Sequence, residues 1–308
     1  MAAGKIGRAN SAFFKSYGKF GATPVEVGIV YLLLAASTAA VLLPFLHEIA
    51  KSFSHPNDVE AGRVLLFPLR PTLGNYRYFL QPEFNALPRA FVNNLFITAF
   101  GTLWSVFFTA LTAFPVSRPR KEFPAGKGVM ALVIFSIVFA PPMIPYFLAV
   151  RSYGLIDSWW SLFLPHTVLP FNMTLVVSYY RGLPEELFEA CRIDGGGDLR
   201  MAFNIAMPLS KPILATVGIY TAVVFWNMFL HPLLFIRSQD LMPLQVFVRS
   251  ILADAADMAG QDASLNLFSN SQSSKSALVM LTTAPIVLVY PFMQRHFIKG
   301  SLSGALKS

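Results

Sequence analysis

Charge is scarce in this chain. Asp, Glu, Lys and Arg make up 13% of its 308 residues, about half the share of a soluble domain. Apolar residues reach 55% and gather in runs close to the ~20 residues that cross a bilayer. Together these exclude an ordinary soluble protein and imply an integral membrane one. Cysteine is nearly absent. Cys191 is the only one, so no disulfide forms within the chain. It has no histidine partner in sequence, which favours packing over nucleophilic chemistry. A phosphate-binding loop is also missing. Gly195-Gly196-Gly197 lacks both a following lysine and a preceding strand. The histidines His47, His55, His166, His231 and His296 show no metal-ligand spacing. Nothing here catalyses a covalent reaction, so the chain reads as no enzyme, and any energy source lies on another polypeptide.

The apolar runs number six, and the fold class is all-α, a polytopic membrane protein. The expected spans are 27–46, 91–114, 128–148, 159–180, 213–236 and 276–297. Pro115 is expected to end the second. Pro141, Pro142 and Pro145 interrupt the third near one end, and Pro165 and Pro170 break the fourth. Carbonyls freed inside lipid need protein partners or a watery cavity. Residues 1–24 form a basic tail with Lys5, Arg8, Lys15 and Lys19 and no acid. It reads either as a helix on lipid headgroups or as a basic tail without fixed structure. The domain reading is therefore a tail at 1–24, a transmembrane region at 25–298 and a closing tail at 299–308. Within it lie a polar loop at 181–211 and longer loops at 50–90 and 237–274.

The net charge of +8 sits at the ends of apolar runs, which points to membrane topology and no nucleic acid. Alternation of six spans puts both tails, the 118–127 turn and the 181–211 loop on one side. That side holds Lys5, Arg8, Lys15, Lys19, Arg118, Arg120, Lys121, Lys127, Arg181, Arg192, Arg200, Lys211, Arg295, Lys299 and Lys307, fifteen of the 24 bases. The excess assigns it to the cytoplasm.

The 181–211 loop organises the rest. Leu187, Phe188, Ala190, Cys191 and Ile193 are spaced as one apolar helix face, with acids opposite. The three glycines stop that helix. Asp198 is placed to cap a second short helix from Leu199 to Met207, and Pro208 and Pro212 lead into the next apolar run. Such a hairpin is too short to bury a core and needs another protein to pack against.

Its residues resemble the signature loop of bacterial ABC-importer permeases: Glu-Ala-Ala, three residues, Gly, nine residues, Ile-x-Leu-Pro. Glu189, Ala190, Gly195, Ile205 and Pro208 stand at that spacing, Cys191 replaces the second Ala, and Met207 replaces Leu. Asp194 before Gly195 is also common in the sugar-importing branch. Leu66 to Tyr76, the Trp226-Asn227 pair and the Phe297–Lys307 ending resemble the smaller permease of carbohydrate importers of the maltose, lipo-oligosaccharide and alginate type. Pro243-Leu244-Gln245 and Leu288 to Phe292 extend the likeness to that branch.

The resemblance implies a type I ABC importer permease fold in the bacterial inner membrane, with both termini cytoplasmic. It implies a heterodimer with a second, homologous permease, two ATPase subunits and an extracytoplasmic solute-binding protein. ATP and Mg would be bound on the partner subunits and no cofactor on this chain. Glu189, Ala190, Asp194, Gly195, Ile205 and Pro208 would couple it to the ATPase. The implied cargo is a sugar, an oligosaccharide and an acidic one among the options. Peptide or polyamine import is the alternative, and a channel or membrane enzyme a more distant one.

Polar side chains inside spans usually face the bundle interior or a pore. Candidates for the substrate pathway are Trp226, Asn227, His231 and Asn172, followed by Asn93 and Asn94. A ring that stacks on a sugar beside an amide suits a saccharide. Hydrogen bonding between helices is the competing reading. The 237–274 loop, with Asp254, Asp257, Asn266 and Asn270, is the expected contact for the binding protein or else a solvated loop.

Overall fold

The computed structural model describes residues 24–79, 86–139, 141–257 and 271–305. Residues 1–23, most of the expected basic tail, lie outside the described residues. So do 258–270 with Asn266 and Asn270, and 306–308. All regular structure among the described residues is helical. The chain divides into two units, residues 1–76 with 271–277, and residues 77–270 with 278–308.

The first unit carries α1 (Pro24–Ser52) and the short α2 (Pro56–Glu60). It also holds the opening of α3 (Gly74–Tyr78) and the first turns of the last helix, Gln272–Ala305. α1 exposes its apolar side chains along most of its length, as a lipid-facing or partner-facing span does. The polar loop after it is pinned by buried hydrogen bonds. The Asn75 amide donates to the carbonyls of Ser52 (2.8 Å) and Ser54 (2.9 Å) and accepts from the Ser273 hydroxyl (3.0 Å). Arg70 forms a two-pronged pair with Asp58 at 2.5 and 2.7 Å. Ser276 donates to Glu48 at 2.6 Å. The sequence read 50–90 as a polar external loop; within it Asp58, Arg70 and Asn75 fasten a small folded unit around Ala50, Val59 and Val64.

The second unit is built on α4 (Ala86–Ser117), followed by α5 (Gly126–Val138), α6 (Met143–Ser152), α7 (Trp160–Phe163) and α8 (Pro170–Arg181). The polar hairpin contributes α9 (Glu185–Ile193), α10 (Asp198–Met201), a π-turn (Ala202–Ala206) and α11 (Met207–Leu209). Then come α12 (Lys211–Trp226), α13 (Leu230–Phe235) and α14 (Leu244–Asp257); α15 (Gln272–Ala305) closes the chain. α4 packs against α12, α8, α14 and α5. One core gathers Phe114, Val176, Val177, Tyr180, Phe188, Met201 and Val217. Another gathers Ile97, Leu162, Phe163, Phe225 and Phe235.

Among the described residues two helices are long and apolar enough to cross a membrane, Val25–Ser52 and Leu87–Ser117. A third candidate is the pair Asp198–Leu209 and Lys211–Trp226, bent by 81°. The other expected spans are built differently. The third is two helices parted at Pro141 and Pro142, and Pro145 sits in the first turn of α6, where a missing N–H is harmless. The fourth is reduced to α7 and α8, with Pro170 as the first residue of α8. The sixth lies inside the single long helix α15, which runs on through residues 299–305 of the expected closing tail.

Three expectations are corrected. Pro115 does not end the second span. α4 continues to Ser117, because a proline in the last turn removes one bond only, and Ser117 Oγ caps the Phe114 carbonyl at 2.6 Å. The fifth span is not one helix. It breaks after Trp226, where the exposed Asn227 turns its amide back onto the Val223 carbonyl (2.9 Å), and resumes at Leu230. The 237–274 segment is not simply a polar loop. Leu244, Val246 and Val248, in the first turns of α14, are buried.

The close approach of α4 and α12 depends on small residues. A methyl group at Gly101 would stand 2.7 Å from the Phe225 ring, which is fully buried. At Gly218 it would meet Val106 at an ordinary 3.7 Å. Gly101→Ala is therefore expected to destabilise by about 1–3 kcal/mol, read as a lower unfolding midpoint in detergent. Phe225→Leu in the same chain should recover more than half of the loss. Gly218→Ala should show no measurable drop.

Candidate functional site

The 181–211 hairpin begins at Pro184, which caps α9, and Glu185 and Glu186 occupy the first turn, where the helix dipole favours acids. With 100° between residues, positions 188, 191 and 192 share one side and 187, 190 and 193–194 another. Phe188 is fully buried against Phe114, with ring centroids 6.0 Å apart, and Cys191 is half-buried. Leu187, Glu189, Ala190, Ile193 and Asp194 are exposed, Ile193 by 86%. The single apolar face expected from the sequence is thus split. Nine residues are too few to bury the whole set, and the bundle takes only Phe188 and part of Cys191. The outer side is left with apolar and acidic groups together.

α9 ends in a Schellman arrangement. The Gly195 N–H donates to the Arg192 carbonyl at 3.0 Å, and the Gly196 N–H to the Cys191 carbonyl at 2.8 Å. Gly195 has φ +73°, the left-handed region that a side chain resists. A β-carbon at Gly196 would collide with Cys191 Sγ and stand 2.9 Å from its carbonyl, whereas Gly197 has open space. The second helix is not capped as expected. Gly197 is the N-cap residue, Asp198 is the first helical residue, and no side chain caps the turn. After Met201 the register widens into the π-turn holding the half-buried Ile205. Pro208 has no N–H for the carbonyl of Asn204. Pro208 itself is exposed.

Four charged residues reinforce the hairpin. Arg118 pairs with Glu185 at 3.3 Å. Arg192 reaches Glu185 at 3.6 Å and Glu122 at 2.6 Å. Burial pulls the Arg118 guanidinium below its ordinary pKa, while Glu185 and Glu122 push it back up. Sequence reasoning gave Arg118 only a topological role and missed this network. Arg118 and Glu185 alone stand 67 positions apart in the chain, and no local spacing relates the four members.

The polar residues of the spans fall into different settings. Asn172 is buried and donates to Thr221 Oγ1 at 2.9 Å, joining α8 to α12. Asn93 donates to the carbonyls of Asp240 (2.8 Å) and Met242 (3.1 Å). Asn94 donates to the Trp226 carbonyl at 3.4 Å, and the buried Trp226 ring meets Phe91 edge-on at 6.1 Å. Asn227 is exposed at the break after α12. His231 is half-buried, its ring 4.9 Å from His166 and 5.4 Å from Tyr146. Trp226, Asn93 and Asn94 therefore cluster at the end of α12, while Asn172 is held elsewhere on that helix. Asp157 ties the nearby turns. It accepts from the N–H groups of Arg237 and Ser238, each at 2.9 Å, and from the Ser238 hydroxyl. Those bonds hold its carboxyl below the usual range.

Comparison with known proteins adds four findings. Residues 105–301 match the family described as binding-protein-dependent transport system inner membrane component. The chain is similar to the polygalacturonan/rhamnogalacturonan transport system permease protein YtcP of Bacillus subtilis (strain 168), 34% identical over 281 residues, 91% of this chain and 97% of that one. It is also similar to Protein LplC of the same organism, 39% identical over 280 residues, covering 90% and 92% of the two chains. Among solved structures, a chain of a bacterial ABC transporter involved in the import of the acidic polysaccharide alginate superposes with a TM-score of 0.78. The identity is 26%, and coverage is 90% of this chain and 99% of that one.

The glycine geometry makes an ordered prediction. Gly195→Ala is expected to cost about 1–2 kcal/mol through its left-handed backbone, and Gly196→Ala a similar amount through collision with Cys191. Both should speed tryptic cleavage after Arg192 and Arg200. Gly197→Ala should leave the cleavage rate unchanged.

Proposed function

Because the chain belongs to the family of inner-membrane components of binding-protein-dependent transport systems, it is an ABC-importer permease, and we propose that its cargo is an oligosaccharide, preferentially an acidic one. A multi-pass transport subunit of this family is not an enzyme. It works with an ATP-hydrolysing subunit and a solute-binding protein. The proposal extends this to a heterodimer with a second permease, served by two ATPase subunits on the cytoplasmic side. The excess of Lys and Arg on the side of the hairpin supports placing both termini and that hairpin in the cytoplasm.

The observation that carries the mechanism is the outer side of α9. Leu187, Ala190 and Ile193 stand exposed beside Glu189 and Asp194, on a helix anchored from within by Phe188. Exposed apolar groups ringed by charge suit a partner groove. In this reading Glu189 pairs with a basic or polar group of the ATPase, and Ala190 permits close approach. Gly195 gives the sharp turn beneath Asp194, and Ile205 and Pro208 fix the return path into α12. Closure of the ATPase dimer on ATP draws the docked helices together, and the spans above pass from inward-open to outward-open. Coupling of this kind requires two global states with different contacts.

The acidic cargo is supported by the polygalacturonan/rhamnogalacturonan and alginate functions named for similar proteins. Within the pathway, Asn227 and His231 are the candidates we favour for cargo contact. Asn172 and Trp226 are buried within the bundle, whereas Asn227 is exposed and His231 half-buried.

Uptake in cells deleted for this chain and complemented with it tests the cargo. Radiolabelled trigalacturonate should enter only with the chain present, and excess raffinose or tripeptide should compete poorly. Tripeptide uptake that depends on the chain, without trigalacturonate uptake, would overturn the sugar reading. Glu189→Ala should lower uptake about tenfold. Gly195→Pro should abolish it and release the ATPase on purification. Full uptake in both variants would remove the docking role.

A further inference from the structure

Arg118 follows the last residue of α4, and its side chain is only 6% exposed. Its guanidinium carbon lies 3.9 Å from the centre of the Phe188 ring and 5.0 Å from that of Phe114. Phe114 belongs to α4 and Phe188 to α9, so the planar cation is shared between rings of the two helices. One nitrogen pairs with Glu185 on α9, while its buried Nε has no partner among the described residues. Arg192 then links Glu185 to Glu122 in the turn after α4. Charges alternate in the order Arg118, Glu185, Arg192, Glu122, leading from the end of α4 through α9 and back to that turn.

A buried guanidinium with an unsatisfied nitrogen is a poor way to gain stability, because an apolar side chain of similar size often packs as well without the desolvation cost. What the planar, charged group adds is geometry. Stacking on two rings and pairing with one carboxylate fix the spacing and rotation of α9 against α4. The chain leaves the C-terminal end of α9 through the hydrogen-bonded turn at Gly195 and Gly196 and then Gly197, three residues with no side chain to pack against α4.

We propose that Arg118 is a positioning residue, the strut through which displacement of α9 reaches α4. The inference rests on the docking role given above to α9 and adds the element that receives the movement. α4 is the helix on which α12, α8, α14 and α5 pack. A shift delivered to its end therefore reaches the rest of this unit directly. A loose joint here would let the ATPase move α9 while the spans stayed behind.

Hydrogen–deuterium exchange of the whole assembled transporter in nanodiscs, with no nucleotide or trapped with ATP and vanadate, reads both ends of this link without any sugar. In the parent, nucleotide should change exchange in peptides from 185–210 and also in those from 108–124. Arg118→Ala should keep the change in 185–210 and lose more than half of it in 108–124. Arg118→Lys should restore part of the lost response, since it keeps the charge and not the stacking. An equal response in both regions of Arg118→Ala would overturn the strut. Loss of both together would also overturn it, since Arg118 would then serve the grip or the fold alone. No change in 185–210 of the parent would overturn the docking role itself. If Arg118→Ala does not assemble, Phe188→Leu decides. It keeps an apolar anchor and removes the ring, and an unweakened response in 108–124 would contradict the proposal.

Discussion

Burial of Phe188 among Phe114, Val176, Val177 and Tyr180 fixes the polar hairpin to the apolar bundle. Without that anchor, α9 would be nine residues in water, too short to hold a helix by its own hydrogen bonds. With it, the opposite side of the helix is held outward as a defined surface. Phe188 also completes the stack on Arg118, so one side chain serves both the stability of the hairpin and its link to α4. The other features of the loop follow from the same placement. Cys191 settles half-buried next to Phe188 and leaves no room for a side chain at Gly196, and Gly195 reverses the chain with a left-handed backbone.

The second constraint is the supply of hydrogen-bond partners where helices break. α5 and α6 part at Pro141 and Pro142, α7 and α8 before Pro170, and α12 and α13 at Asn227. Around the last of these breaks the bundle supplies fixed polar groups. Asn94 and Gln245 both donate to the Trp226 carbonyl, and Asp157 collects the N–H groups of Arg237 and Ser238. In a membrane such groups are costly to leave unpaired, and broken helices are where transporters expose backbone and side chains to cargo. His231 and Asn227 stand at the α12–α13 break, which is why they are favoured over Asn172.

The all-α class, the first two apolar spans and the hairpin were legible because they depend on composition, run length and fixed local spacing. Prolines announced the breaks in the third and fourth spans because their effect is covalent. The break after Trp226 was not legible, since asparagine disturbs a helix only when its amide finds a carbonyl such as that of Val223. The face of α9 was misjudged for a related reason. Periodicity shows which residues share a side, and which of them the core has room for is set by Phe114 on α4, far away in sequence. The network from Arg118 to Glu122 was invisible on the same ground, as was the role of Asn75 in fastening a loop that composition shows only to be polar.

The account stands on the outer side of α9 being the surface that an ATPase grips. A photo-cross-linking amino acid placed at Ile193, the most exposed large apolar side chain of that helix, tests this most directly in intact cells. The account predicts a cross-linked product between this chain and the ATPase, with a yield that changes when ATP hydrolysis is trapped by vanadate. A residue at Ile193 that forms no product with the ATPase, and that water-soluble reagents label equally with and without that subunit, would contradict it.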